Sequence, residues 1–236
     1  MNPYQKLQQR KRTWTPVQTT AGTVRDGSQE TIYRALAMRH MELPVGSFIQ
    51  DALSEIPSLS ADLLRSNVKD EENHDLALGY IANALGVDET AEAEAKRLRD
   101  AWEAHPDHTV LKALVAERAI FFVLLPFFRF NGDGGLRTVS ADISRDEQVH
   151  VAANSLVCKE MGLEISPSLD KLRKATINWV MSPLKASTNK YLDKKFWLDA
   201  SDRLMYEGKA PELSDTKRAR MPAFFEHANP NLPQYA

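Results

Sequence analysis

Apolar residues recur at helical spacing in four long segments of the chain. In each segment they fall three and four positions apart, which places them on one face of an α-helix. Polar and charged residues fill the positions between them, as expected for helices that bury one face against a shared core. The four segments are 29–56, 60–85, 109–130 and 136–161.

Three further segments favour helices that add to these four. The segment 89–104, "ETAEAEAKRLRDAWEA", is mostly charged, and we predict that it lies outside the core. The segments 168–187 and 190–207 are predicted to form additional C-terminal helices. Because no segment alternates in the manner of a strand, the sequence predicts an all-α fold.

The ends of the chain differ from this helical region. Residues 1–28 show little periodicity and are predicted to form an extended N-terminal arm. The helical domain spans 29–207, and 208–236 is a Pro-containing C-terminal tail. Within the domain, Pro44 is expected to kink the first helix, since proline removes a helical hydrogen bond.

Each of the four long segments carries a carboxylate inside its apolar stripe. Two of the carboxylates are followed three residues later by a histidine, and residues at that spacing project from the same face of a helix. Along the chain the carboxylates are separated by 29, 46 and 30 residues, so each can return to a similar height in the next helix. The inward-facing set is Glu42, Glu71, His74, Glu117, Glu147 and His150.

Such a set of side chains is expensive to bury unless it binds cations. An isolated ionised carboxylate in a core costs several kcal/mol at least, and four together would repel one another. Helical bundles that bind two metal ions take one Glu from each of two helices and Glu-x-x-His from each of the other two. Carboxylate and imidazole ligands without a thiolate suit Fe or Mn. The residues therefore predict a site for two metal ions, Fe and/or Mn.

The same residues allow a less specific interpretation. The stretch "KDEENHD", from Lys69 to Asp75, is charged enough to be a solvated helix face. Within it, Glu72 and Asp75 are either outer-face residues or partners behind the ligands. For the first helix, Asp51 and Glu55 are alternatives to Glu42, which fits the inward stripe best.

Composition and charge exclude several other classes of protein. A formal net charge of −2 and a pI near 6.3 argue against nucleic-acid binding. The single cysteine, Cys158, suits a reducing compartment, and we expect it to be a buried apolar residue. The longest apolar run, "AIFFVLLPFF" from Ala119 to Phe128, is too short to span a membrane. The expectation is a cytoplasmic protein without a membrane or nucleic-acid partner.

The motifs around these carboxylates resemble the small subunit of class I ribonucleotide reductases, within the ferritin-like superfamily. "ISRDEQVH", Ile143 to His150, is similar to the Arg-Asp-Glu-x-x-His motif of that family's fourth helix. "AERAIFF", Ala116 to Phe122, resembles the segment around the third-helix glutamate, and "DEENHD" resembles the second-helix Glu-x-x-His. The resemblance covers roughly 42–161. It implies a ferritin-like four-helix bundle with additional C-terminal helices.

The resemblance also implies roles for particular residues. The six inward-facing side chains would be the metal ligands. Asp146 would accept a hydrogen bond from His74 or His150, or from a tryptophan on an electron-transfer path, for which Trp14 is the candidate. A carboxylate behind a metal-bound imidazole is the common arrangement in metalloproteins.

One departure from the family pattern affects the expected chemistry. Members that carry a tyrosyl radical have a tyrosine four residues after the second-helix histidine, where this chain has Leu78. Tyr80 lies about 200° further round the helix and should point away from the site. Members that store oxidising power on a Mn/Fe centre, and the related ligand-binding oxidases, also lack that tyrosine. At the end of the chain, Tyr235 stands in a segment that matches the family's docking tail poorly.

What the resemblance implies for function is an O2-activating oxidoreductase with O2 as the oxidant. The first expectation is a ribonucleotide reductase small subunit, which forms a homodimer and generates an oxidising metal centre for a large catalytic subunit. The second is an oxidase or oxygenase that acts on its own organic substrate. A third possibility is a non-catalytic ferritin-like metal-binding protein.

Overall fold

The computed structural model describes residues 1–213, and within that range every regular element is helical. The helices are α1 (Pro3–Gln8), α2 (Gln29–Ala37), α3 (Glu42–Ala52), α4 (Ala61–Leu85), α5 (Glu89–Glu103), α6 (Thr109–Ala116), α7 (Phe122–Asn131), α8 (Gly134–Glu160), α9 (Pro167–Met181) and α10 (Lys194–Glu207). In the described residues, β-type pairing is limited to one bridge between Lys185 and Asp193. The prediction of an all-α fold is confirmed for this part of the chain.

The core lies between the helices that carry the predicted stripes. α3 packs against α4 and α6, and α8 packs against α4, α6 and α7, so these helices close a ring. The apolar residues of the stripes, such as Val45, Leu64, Ile120 and Ile143, are buried inside it. Helices α2, α5, α9 and α10 add further contacts at the ends and sides of the ring.

Two of the predicted long helices are interrupted. The first is broken by a 3-10 turn, Met38–Met41, and resumes at Glu42. Pro44 therefore stands in the first turn of α3, where a missing N–H costs no hydrogen bond, and it does not kink the helix interior as predicted. The break places Glu42 at the start of a new helix, with its side chain turned into the core.

The third predicted helix contains a π-helical segment, Glu117–Phe121, between α6 and α7. A π segment inside an α-helix is rare and is often found at functional sites. Two hydrogen bonds with α10 support this segment: Ser201 Oγ of α10 donates to the carbonyl of Ala119 at 2.6 Å, and Arg118 Nε of the segment donates to the carbonyl of Leu204 at 2.7 Å. The irregular turn is thus anchored from outside the ring, and its first residue is Glu117.

Two sequence predictions about the outer segments need correction. The N-terminal arm is not wholly extended, since α1 forms within it and buries Tyr4 and Leu7 against the helical domain. The charged helix α5 does contribute to the core, because Trp102 is fully buried and donates to Thr176 Oγ1 at 3.0 Å. Apolar periodicity is weak in both segments, so the few anchoring side chains do not stand out in the sequence.

The C-terminal tail was predicted from 208 to 236, and residues 214–236 lie outside the described residues, as does Tyr235. Among the helices of residues 1–213, none combines the length and apolar character that a membrane crossing requires. Cys158 is buried, and burial raises the pKa of its thiol to about 12, as expected for an inert core residue.

Candidate metal centre

The structure brings all six predicted ligands into one buried cluster. The side chains come from α3, α4, the π segment and α8, and each is at most 1% exposed. They fall into two adjacent groups whose ligand atoms lie within 4.8 Å of one another. The first group is Glu42, Glu71, His74 and Glu147, and the second is Glu71, Glu117 and His150.

Glu71 belongs to both groups and lies between the two imidazoles. Its Oε2 is 3.1 Å from His74 Nδ1, and its Oε1 is 2.9 Å from His150 Nδ1. The contact to His150 lacks hydrogen-bond geometry, since neither atom has a hydrogen-bond partner. The two imidazole rings lie 5.7 Å apart between centroids. A carboxylate with one oxygen toward each group is placed as a bridge between two cations would be.

The adjacent helix α3 leaves room for Glu71 in this bridging position. A Cβ atom at Gly46 on α3 would lie 3.4 Å from Glu71 Cβ and 3.5 Å from its Cγ. A larger side chain at position 46 would press on the stem of Glu71. On α8, one turn beyond His150, Asn154 Nδ2 donates to Glu117 Oε2 at 2.7 Å and leaves the other carboxylate oxygen free to face the cluster.

Many inward-facing atoms of the cluster have no hydrogen-bond partner. Both carboxylate oxygens of Glu42 and of Glu147 are buried and unpartnered, and so are Glu117 Oε1 and His150 Nδ1. Each unsatisfied buried polar atom costs about 1–3 kcal/mol, and more if it is charged. A protein stabilised by its own contacts would not leave so many such atoms facing one point. The donor set therefore fits cations, and its O and N atoms suit Fe or Mn.

The pKa values of the cluster follow from burial and from the central carboxylate. Burial raises the pKa of Glu42 and that of Glu117 to about 8. Burial and the charge of Glu71 raise the pKa of Glu147 well above its ordinary value. Without cations, these carboxyl groups hold protons because water is excluded.

Glu71 and the imidazoles behave in the opposite way. Burial alone would raise the pKa of Glu71, but the facing imidazoles of His150 and His74 outweigh it and hold that pKa low. Burial alone would lower the pKa of both histidines, yet the charge of Glu71 outweighs it and holds both values high. In the absence of metal, positive charge on the imidazoles thus occupies the region where cations would lie.

Behind each imidazole stands an aspartate from the opposite helix. His74 on α4 has its Nε2 3.3 Å from Asp146 Oδ2 on α8, and His150 on α8 has its Nε2 2.9 Å from Asp70 Oδ2 on α4. Both contacts leave Nδ1 facing the carboxylates. An outer carboxylate of this kind fixes the tautomer and orientation of a metal-binding histidine.

The N-terminal arm reaches both aspartates. Trp14 Nε1 donates to Asp146 Oδ2 at 2.6 Å, and its ring stacks on His74 with 6.2 Å between centroids. Lys11 Nζ lies 2.5 Å from Asp70 Oδ2. The expectation for Asp146 named His74 or His150, or a tryptophan, and in the structure both His74 and Trp14 are its partners.

Sequence reasoning missed Asp70 and Lys11. The signal for Asp70 was present, because "DEENH" and "DEQVH" share the pattern Asp-Glu-x-x-His. The arm gave no comparable signal for Lys11. The two alternatives to Glu42, Asp51 and Glu55, are exposed, and Glu72 is also exposed, as an outer-face residue would be.

The long apolar run Ala119–Phe128 packs in the core, with only Phe122 partly exposed. No family model, curated protein or solved structure gives a significant match to the chain. The case for its function therefore rests on the residues of the buried cluster.

Proposed function

We propose that the protein is a ferritin-like dimetal oxidoreductase that activates O2 and functions as a ribonucleotide reductase small subunit does. The observation that carries the proposal is the two groups of buried, largely unpartnered ligand atoms that share Glu71. Their distribution over α3, α4, the π segment and α8 matches the known dimetal pattern of one Glu or one Glu-x-x-His per helix.

The residues of the two groups define how such ions would be held. Glu42, His74 and Glu147 would hold one ion, Glu117 and His150 the other, and Glu71 would join them. When bound there, two Fe ions, or one Mn and one Fe, would supply the electrons for reduction of O2. The chain excludes water from this reaction, since every ligand is buried.

Asp146 is a positioning residue in this proposal. It fixes the His74 ring through Nε2 and also accepts from the Trp14 indole, so one oxygen joins a ligand to the arm. Trp14 is partly exposed, which gives this connection an end near the surface. The connection supports transfer of an electron between the buried centre and a partner such as a large reductase subunit. A homodimer is part of the same proposal.

Leu78 favours a second candidate function. It is 2% exposed, on the same stripe as His74, where a radical-forming member of the family would have a tyrosine. An oxidising centre that stays on the metals can serve a reductase, but it can also oxidise a substrate bound to this chain. An oxidase or oxygenase is therefore the alternative.

Metal loading after removal of all ions tests the proposal. The protein is supplied with Fe(II), Mn(II) or both without oxygen, its bound metal is measured, and O2 uptake is then recorded. We expect two ions per chain and O2 consumption. Glu71→Gln should lose both, whereas Glu72→Gln, the same change at the exposed neighbouring residue, should behave like the wild type.

Several outcomes would refute the proposal or distinguish between the candidate functions. Less than one bound ion per chain, or full occupancy in Glu71→Gln, would show that the cluster is not a dimetal site. Two ions without O2 uptake would favour a non-catalytic metal-binding protein. Electron paramagnetic resonance that shows a tyrosyl radical would contradict the inference from Leu78. Deoxyribonucleotide formation with a large reductase subunit would favour the reductase over the oxidase.

A further inference from the structure

The carboxylates approach the two imidazoles unequally. Three carboxylate oxygens, from Glu71, Glu147 and Glu42, lie 3.1, 3.5 and 3.7 Å from His74 Nδ1. At His150 Nδ1 only Glu71 is as close, at 2.9 Å, whereas Glu117 and Glu147 are both 3.9 Å away. Because Glu71 and Glu147 reach both sides, the difference arises from the closer approach of negative charge to His74. Coulomb attraction alone then favours a cation beside His74.

The aspartates behind the two histidines are also unequal. Asp146 accepts from Trp14, which is uncharged, so its negative charge is not neutralised by the arm. Asp70 lies 2.5 Å from the Lys11 ammonium, and both side chains are largely buried, at 15% and 12% exposure. A pair so little exposed is weakly screened by salt, so its effect reaches the neighbouring His150.

Lys11 is held in place by more than this ion pair. Its Nζ also donates to Ser66 Oγ at 2.8 Å and to Asn67 Oδ1 at 3.0 Å, one turn before Asp70 on α4. Asn67 is fully buried. The position of the ammonium is therefore fixed by the fold, and its charge acts on the His150 side of the cluster.

We infer that the two cation positions differ in affinity, that the position beside His74 fills first, and that Lys11 contributes to the difference by weakening the position beside His150. The inference rests on the proposed function, because it requires that two ions bind. Partners behind a metal-bound histidine change metal affinity by about 10- to 100-fold. We expect Lys11 to act at the lower end of this range, since it contacts the histidine through Asp70.

The inference can be tested by titrating metal-free protein with Mn(II). Electron paramagnetic resonance measures the concentration of unbound Mn(II) at each addition. The wild type should bind two Mn(II) ions in two steps, and the dissociation constants of these steps should differ by about 10-fold or more. Lys11→Met should reduce this ratio of dissociation constants, the affinity gap, by about 10-fold, because the second ion then binds more tightly. Lys11→Arg, which keeps the charge, and Lys6→Met, which removes an exposed charge from α1, should leave the gap unchanged.

Two further variants assign the steps to positions. Glu42→Gln should remove the tight step, and Glu117→Gln should remove the weak one. If Lys11→Met does not fold, Asp70→Asn provides a second probe: with the carboxylate behind His150 lost, the weak step should weaken further.

The outcomes separate this inference from the proposed function. Two Mn(II) ions bound with equal affinity would overturn the inference and leave the dimetal site intact. A gap that persists or widens in Lys11→Met would overturn the role of Lys11. Failure to bind two Mn(II) ions, in a chain shown to be folded by circular dichroism, would count against the proposed function itself.

Discussion

Two of the clusters in which the protein buries charge differ in how that charge is satisfied. At one, on α9, Arg173 is fully buried. Its Nε donates to Asp170 at 2.8 Å, its Nη1 to Ser201 at 2.8 Å and its Nη2 to Asp202 at 2.7 Å. The guanidinium has a partner on every nitrogen, and the cluster is complete as the chain folds.

At the other place, the glutamates of the candidate metal centre are as deeply buried but lack such partners. Glu42 and Glu147 have no hydrogen bond on either carboxylate oxygen. Both clusters are buried, and they differ only in whether their polar atoms have hydrogen-bond partners. A buried charge with all its hydrogen bonds made is a structural element, whereas converging unsatisfied atoms indicate a ligand.

The largest effect of a single substitution that this comparison predicts is that of replacing Arg173. Arg173→Ala should lower the free energy of unfolding by about 3 kcal/mol. This is the lower end of the range for broken buried pairs, because Asp202 is 48% exposed on its side chain and can be hydrated. Urea denaturation measures the loss, and it should be the same with and without metal ions.

Lys174→Ala is the matched control, since Lys174 pairs with the same Asp170 but is 49% exposed on its side chain. It should change stability by about 0–1 kcal/mol. Ser201 keeps its bond to Ala119 in the Arg173 variant, so the π segment retains its support. A loss in Arg173→Ala that appears only with metal bound would mean that the two clusters are not independent.

The second prediction uses pH to distinguish the clusters. In metal-free protein, Glu42 and Glu117 have pKa values of about 8 instead of 4.5, so the folded state holds protons that the unfolded state releases. Stability should therefore fall as the pH rises from about 5 to 8, by about 1.4 kcal/mol per pH unit for each proton retained. Urea denaturation in the presence of EDTA measures the slope.

The two histidines agree with this sign, and Glu71, which has the opposite sign, acts below this pH range. His74 and His150 have raised pKa values, so their contribution is present at low pH and is lost as the pH rises through those values. Glu71 has a lowered pKa, and its contribution disappears only as the pH falls below 4.5. Bound Mn(II) should flatten the slope because it displaces protons. An equal slope with and without Mn(II) would contradict the prediction.

Much of this cluster could be predicted from the sequence because it depends on helical period. The stripes placed Glu71 with His74 and Glu147 with His150, and spacing along the chain matched their heights. Helical period and spacing along the chain are local properties, so they can be determined from the sequence without knowledge of the fold. For the same reason the all-α class followed directly from the four long segments.

The rest of the site depends on contacts that no period encodes. The π segment begins at Glu117 and is supported by Ser201, a residue 84 positions later. Lys11 and Trp14 reach Asp70 and Asp146 from an arm without helical periodicity at those residues. Asp70 could have been found by comparing the two Asp-Glu-x-x-His motifs, but its partnership with His150 is a contact between helices.

The smallest predicted effect is the one that separates the two clusters most directly. Glu147→Gln replaces a carboxyl group that burial keeps protonated by a neutral side chain of the same size. The stability of the metal-free protein should change by less than about 1 kcal/mol, in contrast to the loss expected at Arg173. Urea denaturation in EDTA measures this difference.

The same variant should lose most of its stabilisation by metal. At one hundred times the dissociation constant, a bound ion stabilises the wild type by about 2.7 kcal/mol. Glu147→Gln should gain much less at the same Mn(II) concentration, because a charged ligand with one oxygen toward each histidine is gone. Glu72→Gln, the same change on the exposed face of α4, should gain as much as the wild type. If Glu147→Gln instead destabilised the metal-free protein as strongly as Arg173→Ala, the carboxylate cluster would be a structural network, and its unsatisfied atoms would no longer point to a ligand.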